Sequence, residues 1–260
     1  MHIIFTLLTF ILYIAHPVFA ETPEEKGLAI AIENENRDNG FQDFTADMKM
    51  ILKNRQGEES TREIRNKTLE VEGDGDKSIS IFDRPRDVKG TTLLNFTHRT
   101  GPDDQWLYLP ALKRVKRISS ANKSGSFMGS EFAYEDVTSQ EVEKYTYKWI
   151  RDEDYKGEKC FVYERYPVNK KSGYTRQVVW MDQKEFKVLK IEFFDRKNSP
   201  LKTLTQTNFN KYLGKYWYPK NMFMENHQTG KSTMLIWTNY KFRNGLSARN
   251  FNKNSLKRAR

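Results

Sequence analysis

"FTADMKMIL", residues 44–52, places Phe44, Ala46, Met48, Met50 and Leu52 on one side of an extended chain and Asp47 and Lys49 on the other. Lys53 extends the polar side, and only Ile51 breaks the pattern. Side chains of a strand point alternately to its two faces, so a period of two predicts a half-buried antiparallel strand.

The same period recurs downstream. Leu94 and Phe96 oppose Asn95 and Thr97 in "TTLLNFTH" (91–98), and Leu189, Ile191 and Phe193 oppose Lys190 and Glu192 in "KVLKIEFFD" (187–195). "SISIF" (78–82) pairs Ile79 with Ile81, and "STMLIWTNYKF" (232–242) aligns Met234, Ile236, Tyr240 and Phe242. Turn-forming clusters such as "NRQGEES" (54–60), "RTGPDD" (99–104) and "HQTGK" (227–231) separate the runs. A strand-and-turn unit about every dozen residues, roughly ten to twelve in series, predicts a mainly β chain with one large curved antiparallel sheet. One helix is expected ahead of it. Thr22 is the candidate N-cap, Pro23 opens the first turn, Asn39-Gly40 ends the helix, and Leu28, Ala29 and Ile32 share its apolar side.

Such a sheet must cover its apolar inner face, and one helix is too small for the task. The long break in the alternation is at residues 119–137, where Phe127, Met128, Phe132 and Tyr134 sit in a Ser/Gly-rich stretch. We read this segment as a lid, with Phe127, Met128 and Phe132 as moving cover. The candidate lining beneath it is Met48, Met50, Leu94, Phe96, Leu189, Ile191 and Phe193. Just before the lid, "KRVKR" (113–117) alternates Lys113 and Arg117 with Arg114 and Lys116. These four cations suit an anionic headgroup or membrane surface. Equally, they suit an edge strand protected against aggregation.

Residues 1–20 contain no Asp, Glu, Lys or Arg and end on Val18-Phe19-Ala20. That predicts a signal peptide cleaved after Ala20, with an uncleaved anchor as the alternative. Residues 21–260 are then one exported domain, expected to be monomeric. The formal charge is +10, with net −4 in residues 21–39 and a basic tail at 247–260. Such basicity suits an anionic surface, and export argues against nucleic acid. Cys160 is the lone cysteine, so no disulfide forms within the chain, and its apolar neighbours mark it as a core residue. With His98 and His227 as the histidines past the signal segment, no Cys/His metal cluster can be assembled. No catalytic motif is present, so neither enzyme, metal nor cofactor is expected.

The blocks "RPRDVKGTTLLNFTH" (84–98), "DDQWLYLPALKRVKRIS" (103–119) and "GSFMGSEFAYEDV" (125–137), in that order, resemble the LolA-like proteins. The resemblance implies an unclosed β-barrel of about eleven strands whose apolar hollow is covered by helices. It implies a periplasmic carrier of lipid or of lipoprotein acyl chains, with an inner-membrane exporter as donor, RND-type exporters included, and an outer-membrane acceptor. Two other readings stay open: an exported interaction module docking through its basic face, and an enzyme acting on envelope lipid.

Overall fold

The computed structural model describes residues 20–254 and 256–257; the expected signal segment lies outside them apart from Ala20. Helix α1 (Pro23–Asp38) begins where Thr22 was expected to cap it. The Thr22 hydroxyl accepts from the Glu25 N–H at 3.2 Å, and the Glu25 carboxylate accepts from the Thr22 N–H at 2.8 Å. This reciprocal pair satisfies two of the N–H groups a helix start leaves free.

Thirteen strands follow: β1 (Asp43–Lys53), β2 (Glu59–Leu69), β3 (Lys77–Arg84), β4 (Thr92–Phe96), β5 (Asp104–Leu109), β6 (Arg114–Ile118), β7 (Tyr145–Tyr155), β8 (Glu158–Pro167), β9 (Tyr174–Asp182), β10 (Val188–Asp195), β11 (Pro200–Tyr212), β12 (Tyr216–Asn226) and β13 (Ser232–Phe242). They form one antiparallel sheet in the order β6-β5-β4-β3-β2-β1-β13-β12-β11-β10-β9-β8-β7. The sheet is unclosed, because β6 and β7 end it without pairing. Thirteen strands exceed the eleven or so expected. Edge strand β7 buries only Tyr147, and short β6 buries nothing, so neither carries a full apolar stripe.

This order dictates the path of the lid. One half of the sheet is built outward from β1 to β6, and the other is built inward from β7 to β13. The connection between β6 and β7 must therefore pass from one edge of the sheet to the other. It does so across the hollow, as short 3-10 turns (Ser120–Asn122, Phe127–Gly129, Tyr134–Val137, Val142–Lys144).

The helix packs differently from its hydrophobic pattern. Gly27, Ile30 and Ala31 are buried, whereas Leu28 and Ile32 are each 41% exposed. A Cβ on Gly27 would lie 2.8 Å from the Trp149 backbone nitrogen and 2.9 Å from that of Lys148. The helix thus rests backbone to backbone on β7, along its smallest residues. Lys26 closes the contact with its ammonium 3.6 Å from the Trp149 ring centre.

Apolar residues occupy both faces of the sheet. The main core, on the concave face, joins Met48, Met50, Ile64, Phe82, Leu93, Ile191, Phe193 and Leu235 to Phe127 and Phe132 of the lid. On the convex face Ile79, Ile81, Leu94 and Trp106 are covered by Phe251 and Leu256 of the tail, which are 2% and 0% exposed. A second convex cluster holds Cys160, Val162, Val178, Trp180 and Leu189. The 247–260 tail, read from sequence as basic, is thus in part a strap.

Candidate ligand-binding cavity

A cavity of about 790 Å³ lies on the concave face between the end of α1, the lid and the centre of the sheet. Its floor is apolar: Met48 from β1, Met222 from β12, Leu235 and Trp237 from β13, and Phe127 and Phe132 from the lid. A second cavity, of about 210 Å³, lies toward β8–β12 and is lined by Ile191, Phe193, Leu204 and Tyr163. Phe132, Met222 and Gln206 border both spaces.

Five of the sequence-predicted residues meet at these cavities: Met48, Phe127, Phe132, Ile191 and Phe193. Met50 is fully buried in the adjoining core, and Met128 is half-buried at its margin, where its carbonyl accepts from Arg62. Leu94, Phe96 and Leu189 point away from the hollow. Leu94 and Phe96 occupy the convex face because their polar neighbours turn inward: Asn95 donates to the Val137 carbonyl of the lid at 3.1 Å. A register shift between Val188 and Lys190 puts Val188 at the smaller cavity and Leu189 in the convex cluster. A second irregularity, between Thr45 and Asp47 where β1 pairs with β13 at left-handed Asn239, separates Met234 and Ile236 from the inward Tyr240.

Lys113, Arg114, Lys116 and Arg117 line neither cavity. All four are exposed on or beside edge strand β6, and Arg117 pairs with Asp104. The cavity mouth is instead rich in carboxylates, which sequence reasoning missed. Glu35, Asp38, Glu70, Asp76 and Glu141 face the space with a single arginine, Arg99. Arg99 is held by Glu35 and Glu143, each at 2.8 Å. The same space is lined by a row of rings: Phe44, Tyr218, Tyr240 and Trp237. Tyr218 and Tyr240 stack at 5.5 Å, and Trp237 lies 6.1 Å from Tyr240. The middle of the cavity is polar, with Asn66, Ser78 and Ser80 of β2 and β3.

The lid is anchored rather than loose. Lys202 donates to Asp136 at 2.7 Å and to the Glu131 carbonyl at 2.8 Å. Asn226 donates to Glu131 at 2.7 Å, and Glu135 accepts from Ser172 and from the Gly173 N–H. The Ser/Gly content of the segment serves tight turns in which its own backbone is hydrogen-bonded, as in Phe127 N–H to the Phe132 carbonyl at 2.7 Å.

Burial pushes Asp76 and Glu141 both up to about 7, with repulsion from Glu141 adding at Asp76, and with attraction from Lys144 and Arg99 opposing the shift at Glu141 while repulsion from Glu35 adds to it. A carboxyl whose pKa is higher folded than unfolded, where it is about 4, holds its proton more tightly when folded. Its contribution to stability is full at low pH and is lost as pH rises through the folded value. The thermal midpoint is therefore expected to fall between pH 5 and pH 8. The Asp76→Asn/Glu141→Gln variant should flatten that slope. A slope unchanged in the variant would assign the pH dependence elsewhere.

A family model described as that of an uncharacterized protein matches residues 74–258. Among solved structures, the chain is similar to a Vibrio parahaemolyticus domain named as an outer membrane lipoprotein-sorting protein, at 59% identity and a TM-score of 0.89, over 90% of this chain and 99% of that one. It is similar to a DUF1329 family protein from Desulfovibrio piger at 32% identity and a TM-score of 0.86, over 90% and 99% of the two chains. A LolA superfamily protein from Nitrosomonas europaea, at 21% identity and a TM-score of 0.71 over 88% and 98%, shares the fold. No curated protein matches the chain.

Proposed function

Because the chain belongs to the LolA-like family that includes these Vibrio and Desulfovibrio proteins, we propose that it is a periplasmic, non-enzymatic carrier holding lipid or lipoprotein acyl chains in its hollow. The observation that carries this reading is the cavity of about 790 Å³, floored by Met48, Met222, Leu235 and Phe132 within an otherwise closely packed sheet. Its size falls within the range of ~300–1,000 Å³ usual for ligand sites. Burial of an acyl chain there contributes roughly 0.8 kcal/mol per methylene.

Transfer from an inner-membrane exporter to an outer-membrane acceptor then follows as exchange between hollows. Phe127 and Phe132 form the part of the cover that must yield. We assign Lys113, Arg114, Lys116 and Arg117, which stand outside the cavity, to contact with a partner or an anionic membrane surface. Native mass spectrometry of gently purified protein is expected to show co-purified lipid or acylated peptide. A fluorescent fatty-acid probe is expected to bind at one per chain. A cleanly empty protein that takes up no probe would instead support the interaction-module reading.

A further inference from the structure

The mouth of the large cavity has an electrostatic character that acyl-chain binding alone does not require. Its acids outnumber the cations near them, and those cations have other partners: Lys144, which attracts Glu141, is paired with Asp103. Arg99 is committed to Glu35 and Glu143, and Lys215 donates to the Asn39 carbonyl. Among the described residues, Asp38, Glu70, Asp76 and Glu141 form no ion pair. Glu70 accepts from the Gly40 and Gln42 N–H groups, and Asp76 accepts from Ser139. Glu141 is 8% exposed, and its carboxylate has neither hydrogen bond nor ion pair among the described residues. Its oxygens are not among the described polar atoms sealed without a partner, so they open on the cavity, where a carboxylate in a confined space is stabilised by a cationic occupant.

A second, independent feature lies deeper in the same space. Asn66 is 6% exposed, and its carbonyl oxygen accepts from Ser80 at 2.7 Å. Its amide nitrogen has no partner. A buried donor left free in a cavity wall calls for an acceptor from the occupant. In the same space Phe44, Tyr218, Tyr240 and Trp237 form a ladder of rings, Tyr218 on Tyr240 and Tyr240 on Trp237, that ends on Trp237, and aromatic rings are the usual walls of ammonium sites. No group of three or more described His, Cys, Asp or Glu side chains is placed to hold a metal ion.

We propose that this mouth binds an ammonium group carried at the polar end of the acylated ligand, between the carboxylates of Asp76 and Glu141 and the Tyr218/Tyr240/Trp237 wall. Asn66 then donates to an ester, amide or phosphate oxygen nearer the chain. The inference rests on the carrier reading and specifies its cargo. Two sources supply this chemistry: an ethanolamine-type headgroup, or lysines in the peptide that follows a lipidated N-terminus.

Tryptophan-fluorescence titrations of the full exported domain test it with two matched pairs below micellar concentration. One pair is lysophosphatidylethanolamine against lysophosphatidylglycerol of equal chain length. The other is a dipalmitoyl lipopeptide ending in four lysines against the same lipopeptide ending in four glutamates. At least one ammonium member is expected to bind about tenfold more tightly than its anionic counterpart, and the pair that shows the preference identifies the source. The preference should collapse in the Asp76→Asn/Glu141→Gln variant. Anionic members binding as tightly as ammonium members in both pairs, or a preference that survives in the variant, overturns the inference while leaving the carrier intact. If no amphiphile of any charge binds, the carrier reading fails and this one falls with it.

Discussion

Replacing Lys202 with methionine is expected to lower the free energy of unfolding by about 3–5 kcal/mol, the cost of stranding one partner of a buried ion pair. The Lys202 and Asp136 side chains are 5% and 7% exposed, and their charged atoms lie 2.7 Å apart. Lys202 also reaches the Glu131 carbonyl, while Asp136 accepts from the Ala133 N–H at 2.7 Å and from Tyr174 at 2.8 Å. One strand of the sheet thus holds the lid at both ends of its 131–136 turn. Methionine keeps most of the volume but leaves Asp136 charged and buried without its cation. Adding Asp136→Asn, which preserves an acceptor for Ala133, should recover about 1–3 kcal/mol as coupling between the two sites. Urea denaturation of the four members of the cycle measures both quantities. Hydrogen exchange should quicken across 123–137 in the single variant, because local opening follows the loss of local contacts. A loss below about 1 kcal/mol would mean that the ion pair does not anchor the lid.

That anchor could not be read from residues 119–137 alone. Ser and Gly around Phe127, Met128, Phe132 and Tyr134 suggest a soft cover. The cations and acids that fix it, Lys202 and Asp136, lie far apart in sequence and were indistinguishable from surface charge. The sheet itself was legible, since alternation in β1 survives as burial of Ala46, Met48 and Met50. The helix cap was legible too, because Thr22, Pro23 and Glu25 act within one turn. What alternation cannot give is which face is inner. Leu93 and Leu94 are both fully buried, one against the lid and one beneath the tail. Two-sided burial makes the apolar set ambiguous, and register irregularities at Val188 and Asn239 reverse it partway along a strand. The acids of the mouth escaped notice for a related reason. In the sequence Asp76 stands in the short turn-like "DGD" at 74–76, and Asp38 stands beside the Asn39-Gly40 stop of the helix. Only the fold brings Asp38, Asp76 and Glu141 around one opening.

Phe132→Ala should change what the hollow can hold. The ring is 2% exposed, yet it borders both the cavity of about 790 Å³ and that of about 210 Å³, as the one aromatic ring among the described residues that line both. Removing a buried phenylalanine ring costs about 3–5 kcal/mol. A value near 3 is expected here, because the ring already borders empty space on two sides and loses fewer contacts. The functional consequence is larger. With the ring gone, a chain that stops at Phe132 can continue toward Ile191, Phe193 and Leu204. Each further methylene buried is then worth about 0.8 kcal/mol, or roughly fourfold in affinity. In a series of fatty-acid probes of increasing length, affinity for the wild type should level off once the chain fills the larger space. The variant should keep gaining for several methylenes beyond that point. Phe132→Leu, which restores most of the side chain's bulk, should return the plateau toward its original length. If the two variants and the wild type level off together, the two spaces do not form one path for the chain. The acyl group must then lie wholly among Met48, Leu235 and the aromatic wall of the mouth.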